Sequence, residues 1–281
     1  MEEQALRELG DLIEYGQVGQ RVMGALRLAL RAPRVDPRMH QPGAEHAGNP
    51  LTARFRTILS QLDRMTGGGY GVTVVSGAPK TGKSFFAIGT AIEAAAAGHR
   101  VVYLSCEMPI EQVEARFGRY FAAFPSRDRS DRLLAVIDVV HALHADQLVK
   151  VLEDSVPAWS VEPVLLVIDS VNSLVRQLGE DDQLQRIERV LMFLIRARRL
   201  APGIFSALAI CELNQHGHTK GRSAENLADL VLRLRRAEKM PGVEMDVQLS
   251  RESQAGLLGR FLLDPARGCF LPTVFEPDTE E

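Results

Sequence analysis

The chain has 281 residues, of which 46% are hydrophobic and 25% charged, and a formal net charge of −3. That composition suits a globular chain with a sizeable core; it excludes a broadly basic coat for nucleic acid, though not a local basic groove. Three widely separated cysteines, Cys106, Cys211 and Cys269, form no zinc-type spacing and suit a reducing compartment. The start, MEEQALRELGDLIEYG, is acidic and lacks the features of a signal peptide, and no apolar run reaches the ~18 residues of a membrane span. A cytoplasmic protein without membrane contact is expected.

In chain order, residues 1–31 read as a helical extension. Leu6, Leu9 and Ile13 share one face and Val22, Leu26 and Leu30 another, with Gly16 and Gly19 breaking the stretch. Pro33, Pro37, Pro42 and Pro50 mark 32–50 as an extended linker. From Leu51 to about residue 275, short apolar runs alternate with helical patterns. Strands are expected at 72–75, 100–104, 133–137, 164–168 and 206–210. Helices are expected at about 83–97, 109–124, 145–155 and 183–200. Strands that are apolar throughout and alternate with helices predict an α/β fold with a mainly parallel central sheet covered on both faces. The segments ADLVLRLRR, VEMDVQLS and GRFLLD instead alternate with period two and predict antiparallel strands at the C-terminal edge. Residues 276–281 are a short acidic tail.

One stretch carries the chemistry. Gly77-Ala78-Pro79-Lys80-Thr81-Gly82-Lys83-Ser84 fits G-x-x-x-x-G-K-[ST], lies after a strand pattern and opens a helical one through Phe85. Glycines let several backbone N–H groups converge, the helix start adds its positive dipole end, Lys83 reaches outer phosphates, and the Ser84 hydroxyl suits Mg²⁺. A phosphate loop of this kind implies ATP with Mg²⁺.

The loop needs acids beside it. Asp169 ends the run PVLLVID and serves as the second metal ligand. The next residue is Ser170 rather than a glutamate, so the water-activating acid must come from another strand end, and Glu107 after LSC is the candidate general base. A third strand ends in AICELNQ, where Glu212, Asn214 and Gln215 reach the same edge and an amide senses the γ-phosphate or orients water.

Together these residues resemble the RecA-fold ATPase domains of the DnaB helicase, RadA and KaiC type, over about 51–271. The likeness lies in Leu62-Asp63 followed by Gly67-Gly68-Gly69, the phosphate loop, LSCEMP with Glu107, PVLLVIDS with Asp169, and AICELNQ with Asn214 or Gln215. It implies a Mg²⁺-dependent ATP hydrolase working as a homo-oligomer, ring or filament, with ATP between subunits. It also places a basic residue from the neighbour in LSRES, making Arg251 the arginine finger, with Arg222 and Lys220 as second choices. The zinc module of RadA, the second ATPase unit of KaiC and the large N-terminal domain of DnaB have no counterpart in the sequence. The thirty-residue extension would pack either on a neighbouring subunit or on its own domain.

The resemblance implies action on single-stranded DNA; a KaiC-like switch acting on a protein partner is the alternative. The segment VRQLGEDDQLQR, expected as a channel loop, carries Glu180, Asp181 and Asp182, which repel phosphates. The segment HGHTKGRSAEN offers Lys220 and Arg222 but no aromatic for base stacking. Its His216 and His218 have no cysteine or fixed carboxylate beside them and argue for no metal.

Overall fold

The structure, a computed structural model, describes residues 54–123, 137–141, 163–174, 180–200, 203–213, 228–237, 242–264, 266 and 269–272. The extension 1–31, the linker 32–50, the helix expected at 145–155 and the acidic tail all lie outside the described residues.

The phosphate-loop unit comes first. Strand β3 (Val72–Gly77) leads into helix α2 (Lys83–Ala96), then β4 (Arg100–Ser105), α3 (Ile110–Ala123) and β5 (Ile137–His141). Next come β6 (Val164–Asp169), a single turn α4 (Val171–Leu174), α5 (Glu180–Leu200) and β7 (Phe205–Glu212). The chain closes with β8 (Leu230–Arg236), β9 (Val243–Ser250), β10 (Gly256–Asp264) and β11 (Cys269–Pro272). Ahead of all these, β1 (Arg54–Phe55) pairs antiparallel with β2 (Gly69–Tyr70) around α1 (Ser60–Thr66).

The main sheet has nine strands in the order β11-β10-β9-β8-β3-β7-β6-β4-β5. From β8 to β5 every neighbour is parallel; β9, β10 and β11 continue antiparallel. The period-two alternation of ADLVLRLRR therefore marks a strand buried on one face, not a reversed one. Leu232 and Leu234 enter the core, while Arg235 reaches across to Asp246 on β9.

Two apolar layers sandwich the sheet, as its fully apolar strands require. On one face Val72, Val74, Leu166, Ile168 and Ala209 meet Ile187, Val190, Leu191 and Leu194 of α5. On the other, Val75, Tyr103, Val167 and Ile210 meet Phe86, Ile88 and Ile92 of α2 and Val113 and Phe117 of α3. Because strand residues alternate faces, each strand feeds both layers. The expected helix near 183 begins at Glu180, so Glu180, Asp181 and Asp182 form the first turn of α5. Acids there complement the positive end of the helix dipole. No described helix is long and apolar enough to cross a membrane.

Candidate nucleotide site

The parallel strands all end at one edge, and the loop after β3 lies there. Gly82 caps α2 with φ 90°, and Lys80 also has positive φ, at 64°. A Cβ on Gly82 would approach Phe270 Cζ to 2.9 Å, so the C-terminal strands back the loop and exclude a side chain. A Cβ on Gly77 would meet the Leu234 carbonyl oxygen at 2.7 Å. These two glycines are required by packing as well as by the turn. Inside the loop, Thr81 Oγ1 donates to the Ala78 carbonyl at 2.9 Å.

Lys83 is buried, 7% exposed, and its Nζ donates to the carbonyls of Gly77 and Ala78, both at 2.8 Å. Among the described residues it has no ion pair. Burial drives its pKa below the usual lysine value, and the carboxylates of Glu212, Asp169 and Glu107 work against that fall. A buried ammonium held by neutral carbonyls keeps its charge uncompensated at close range, which suits an anionic ligand.

Ser84 Oγ donates to Asp169 Oδ1 at 3.1 Å. The residues expected as metal ligands thus meet across 85 positions of sequence. A hydroxyl and a carboxylate side by side form the hard-oxygen pair that Mg²⁺ takes, so the donor set fits that ion. Asp169 is buried, which raises its pKa, while hydrogen bonds from Tyr103 and Ser84 and the positive charge of Arg116 oppose the rise. The Arg116 guanidinium lies over the Phe85 ring, 5.0 Å from its centroid.

Glu107 follows β4 and is exposed, with Ser173 Oγ donating to its Oε2 at 3.4 Å. Ser173 Oγ also accepts from Ser170 Oγ at 3.1 Å, so a serine chain links Glu107 to the residue after Asp169. The main chains meet as well, with Cys106 N donating to the Asp169 carbonyl at 2.8 Å. Glu212 ends β7 in register with Gly77, and its N–H donates to Asn172 Oδ1 at 2.7 Å. Leu213 N donates to the Gly77 carbonyl at 3.4 Å, the same oxygen that Lys83 holds.

Asn214, Gln215, Lys220 and Arg222 lie outside the described residues, as do His216 and His218. Arg251 stands at the opposite edge. Its Nε donates to the Ala228 carbonyl at 3.0 Å and lies 3.8 Å from Asp229 Oδ1. Within one chain it does not join the loop, so a role at a phosphate requires the loop of another chain.

Sequence reasoning passed over two groups that the fold brings in. Tyr103 OH donates to Asp169 Oδ2 at 2.6 Å, and Asn172 ties α4 to the tip of β7. The available signal for the first was a tyrosine inside the aliphatic run RVVYLS.

A family model described as an AAA domain matches residues 54–201. Curated relatives include the DNA repair protein RadA of Brucella abortus (strain 2308), 29% identical over 130 residues, 45% of this chain and 26% of that protein. RadA of Mycolicibacterium smegmatis (strain ATCC 700084 / mc(2)155) is 28% identical over 229 residues, 78% of this chain and 44% of that one. The chain thus spans less than half the length of these two relatives. Among solved structures, an ATPase domain determined on its own superposes with TM-score 0.62 at 17% identity, covering 76% of this chain and 89% of that one. A DnaB-like replicative helicase, solved in a study of its interactions with primase, gives TM-score 0.63 at 17% identity, with 76% and 60% covered. The KaiC-like protein PH0186 of Pyrococcus horikoshii OT3 gives 0.59 at 16%, with 79% and 99% covered. These likenesses establish a RecA-type ATPase-domain fold.

Proposed function

Because the chain belongs to the AAA domain family and has the RecA-type P-loop fold, we propose that it binds ATP with Mg²⁺ and hydrolyses it. The observation that carries this reading is the Lys83 ammonium, buried and held only by loop carbonyls, beside the Ser84–Asp169 oxygen pair.

In this reading Lys83 turns from the Gly77 and Ala78 carbonyls to the outer phosphates, and the amides of residues 78–85 surround the remaining oxygens. Ser84 and Asp169 hold the Mg²⁺, which when bound offsets charge on the phosphate oxygens. Glu107 accepts the proton of the attacking water, its carboxylate steadied by Ser173. The tip of β7, with Asn214 or Gln215 beyond it, reads the γ-phosphate. Arg251 of a neighbouring copy supplies the finger, which makes the working unit a homo-oligomer. The unit that does this is the segment 51–275, with 1–31 as an accessory extension joined through 32–50.

Single-stranded DNA is the partner we favour, because curated relatives are named DNA repair proteins and a structural neighbour is a replicative helicase. Its test is the ATPase rate with and without single-stranded DNA. A stimulation that fades as salt rises supports the reading. A rate indifferent to DNA at low salt overturns it in favour of a KaiC-like switch on a protein, which the acidic first turn of α5 suits.

A further inference from the structure

We propose that Tyr103 is a positioning residue for the metal-binding carboxylate: its hydroxyl, bonded to Asp169 Oδ2, fixes the carboxyl plane so that Oδ1 faces Ser84. This inference rests on the Mg²⁺–ATP reading above, and nothing in the phosphate-loop pattern contains it.

The geometry follows from strand register. On the paired strands β4 and β6, Ser105 lies opposite Asp169 and Tyr103 opposite Val167. Side chains two residues apart on a strand share a face, and the rise between them is about 6.6 Å. A tyrosine is long enough to span that rise along the sheet, and its OH arrives 2.6 Å from Asp169 Oδ2. Phenylalanine would fill the same volume and stop short of the oxygen.

The ring itself cannot drift. Tyr103 is fully buried and meets Phe117 of α3 edge-on, with centroids 5.8 Å apart and planes at 78°. A carboxyl group held at only one oxygen pivots about its terminal torsion, which is broad for Asp. Here each oxygen has its own hydroxyl donor, Ser84 on Oδ1 and Tyr103 on Oδ2. Ser84 leaves Asp169 to serve as a ligand, so the phenol is the donor that remains when the site is loaded. It acts on the far oxygen and so keeps the near one aimed at the loop. Partners of this kind orient metal ligands and set metal affinity.

The experiment compares the full-length chain with Tyr103→Phe, titrating Mn²⁺ by electron paramagnetic resonance in the presence of a non-hydrolysable ATP analogue. In parallel it measures analogue binding without metal and the Mg²⁺ dependence of hydrolysis. Tyr103→Phe should raise the Mn²⁺ half-saturation about 10- to 100-fold, leave metal-free analogue binding unchanged and keep most of the turnover at saturating Mg²⁺. A metal half-saturation equal to wild type overturns the inference while leaving the ATPase reading intact. Equal losses in metal-free binding also overturn it, because they mark general damage. Absence of metal-dependent analogue binding in the wild type itself overturns the ATPase reading. Should Tyr103→Phe fail to fold, Phe117→Leu keeps the hydroxyl but loosens the ring. It should raise the half-saturation by a smaller factor in the same direction, and no rise rejects the proposal.

Discussion

The two edges of the central sheet use the same residue types to opposite ends. At the amino edge, Asp229 accepts from Val72 N at 2.9 Å and pairs with Arg198 at 3.5 Å and Arg251 at 3.8 Å. Tyr70 OH accepts from the N–H groups of Arg251 and Glu252, both at 3.2 Å, and Arg54 pairs with Glu252. Charge there is closed by opposite charge. At the carboxyl edge, Asp169 is bonded by two hydroxyls and Lys83 by two carbonyls. Neutral partners satisfy hydrogen bonds but leave net charge for something else to neutralise. An edge closed on itself holds the fold, and an edge left electrically open holds a ligand.

Substitutions should separate the two edges. Lys83→Ala should lose both tight ATP binding and turnover, the latter by at least about 10²- to 10³-fold, with no fall in the melting temperature of the nucleotide-free protein. A melting loss without a binding loss would break the comparison. Glu107→Gln should keep ATP affinity while hydrolysis drops about 10²- to 10³-fold; normal turnover would move the general base elsewhere. Asp229→Ala, at the closed edge, should cost about 3 kcal/mol in urea unfolding, because it strips a buried carboxylate from two arginines and a backbone amide. Its ATP affinity should not change.

Two groups near the closed edge are exceptions and sharpen the contrast. His99 is buried and its pKa is pushed down to about 4, chiefly by burial. The native state then binds fewer protons than the unfolded one, so its contribution is full above about pH 6.5 and lost as pH falls to 4. Burial pushes Asp63 up to about 6, against hydrogen bonds from Thr57. Its contribution is full below about pH 3.8 and lost as pH rises through 6. The two slopes oppose each other between pH 4 and 6. His99→Gln should unmask a loss of stability with rising pH, and Asp63→Asn a loss with falling pH, each up to about 3 kcal/mol by denaturant titration. Parallel slopes in both variants would contradict this.

Arg251→Ala gives the smallest effect on stability, at most about 1 kcal/mol, since its side chain is 47% exposed. Its effect on turnover is the informative one. Mixing Arg251→Ala with Lys83→Ala chains should restore part of the hydrolysis that each lacks alone, and no recovery would count against a finger acting between copies.

Much of the open edge was legible because its signals are local. The loop, the apolar strands ending at Asp169 and Glu107, and the helix opening at Lys83 each occupy one continuous stretch, and pattern fixes their edge once the sheet is parallel. The short pair β1–β2 and helix α1 were not anticipated, because two-residue strands carry no periodicity. The direction of β8 was misread because alternation reports which face is buried, not which way the chain runs. Tyr103 and Asp229 were invisible for another reason: their partners lie 66 and 157 residues away, and only register brings them together.

The most direct test is equilibrium binding of a fluorescent ATP analogue in Mg²⁺ to the wild-type chain and to Lys83→Ala. An electrically open edge predicts saturable binding by the wild type and an affinity at least about 10²-fold weaker in the variant, with circular dichroism and melting unchanged. Equal affinity in the two proteins would contradict it.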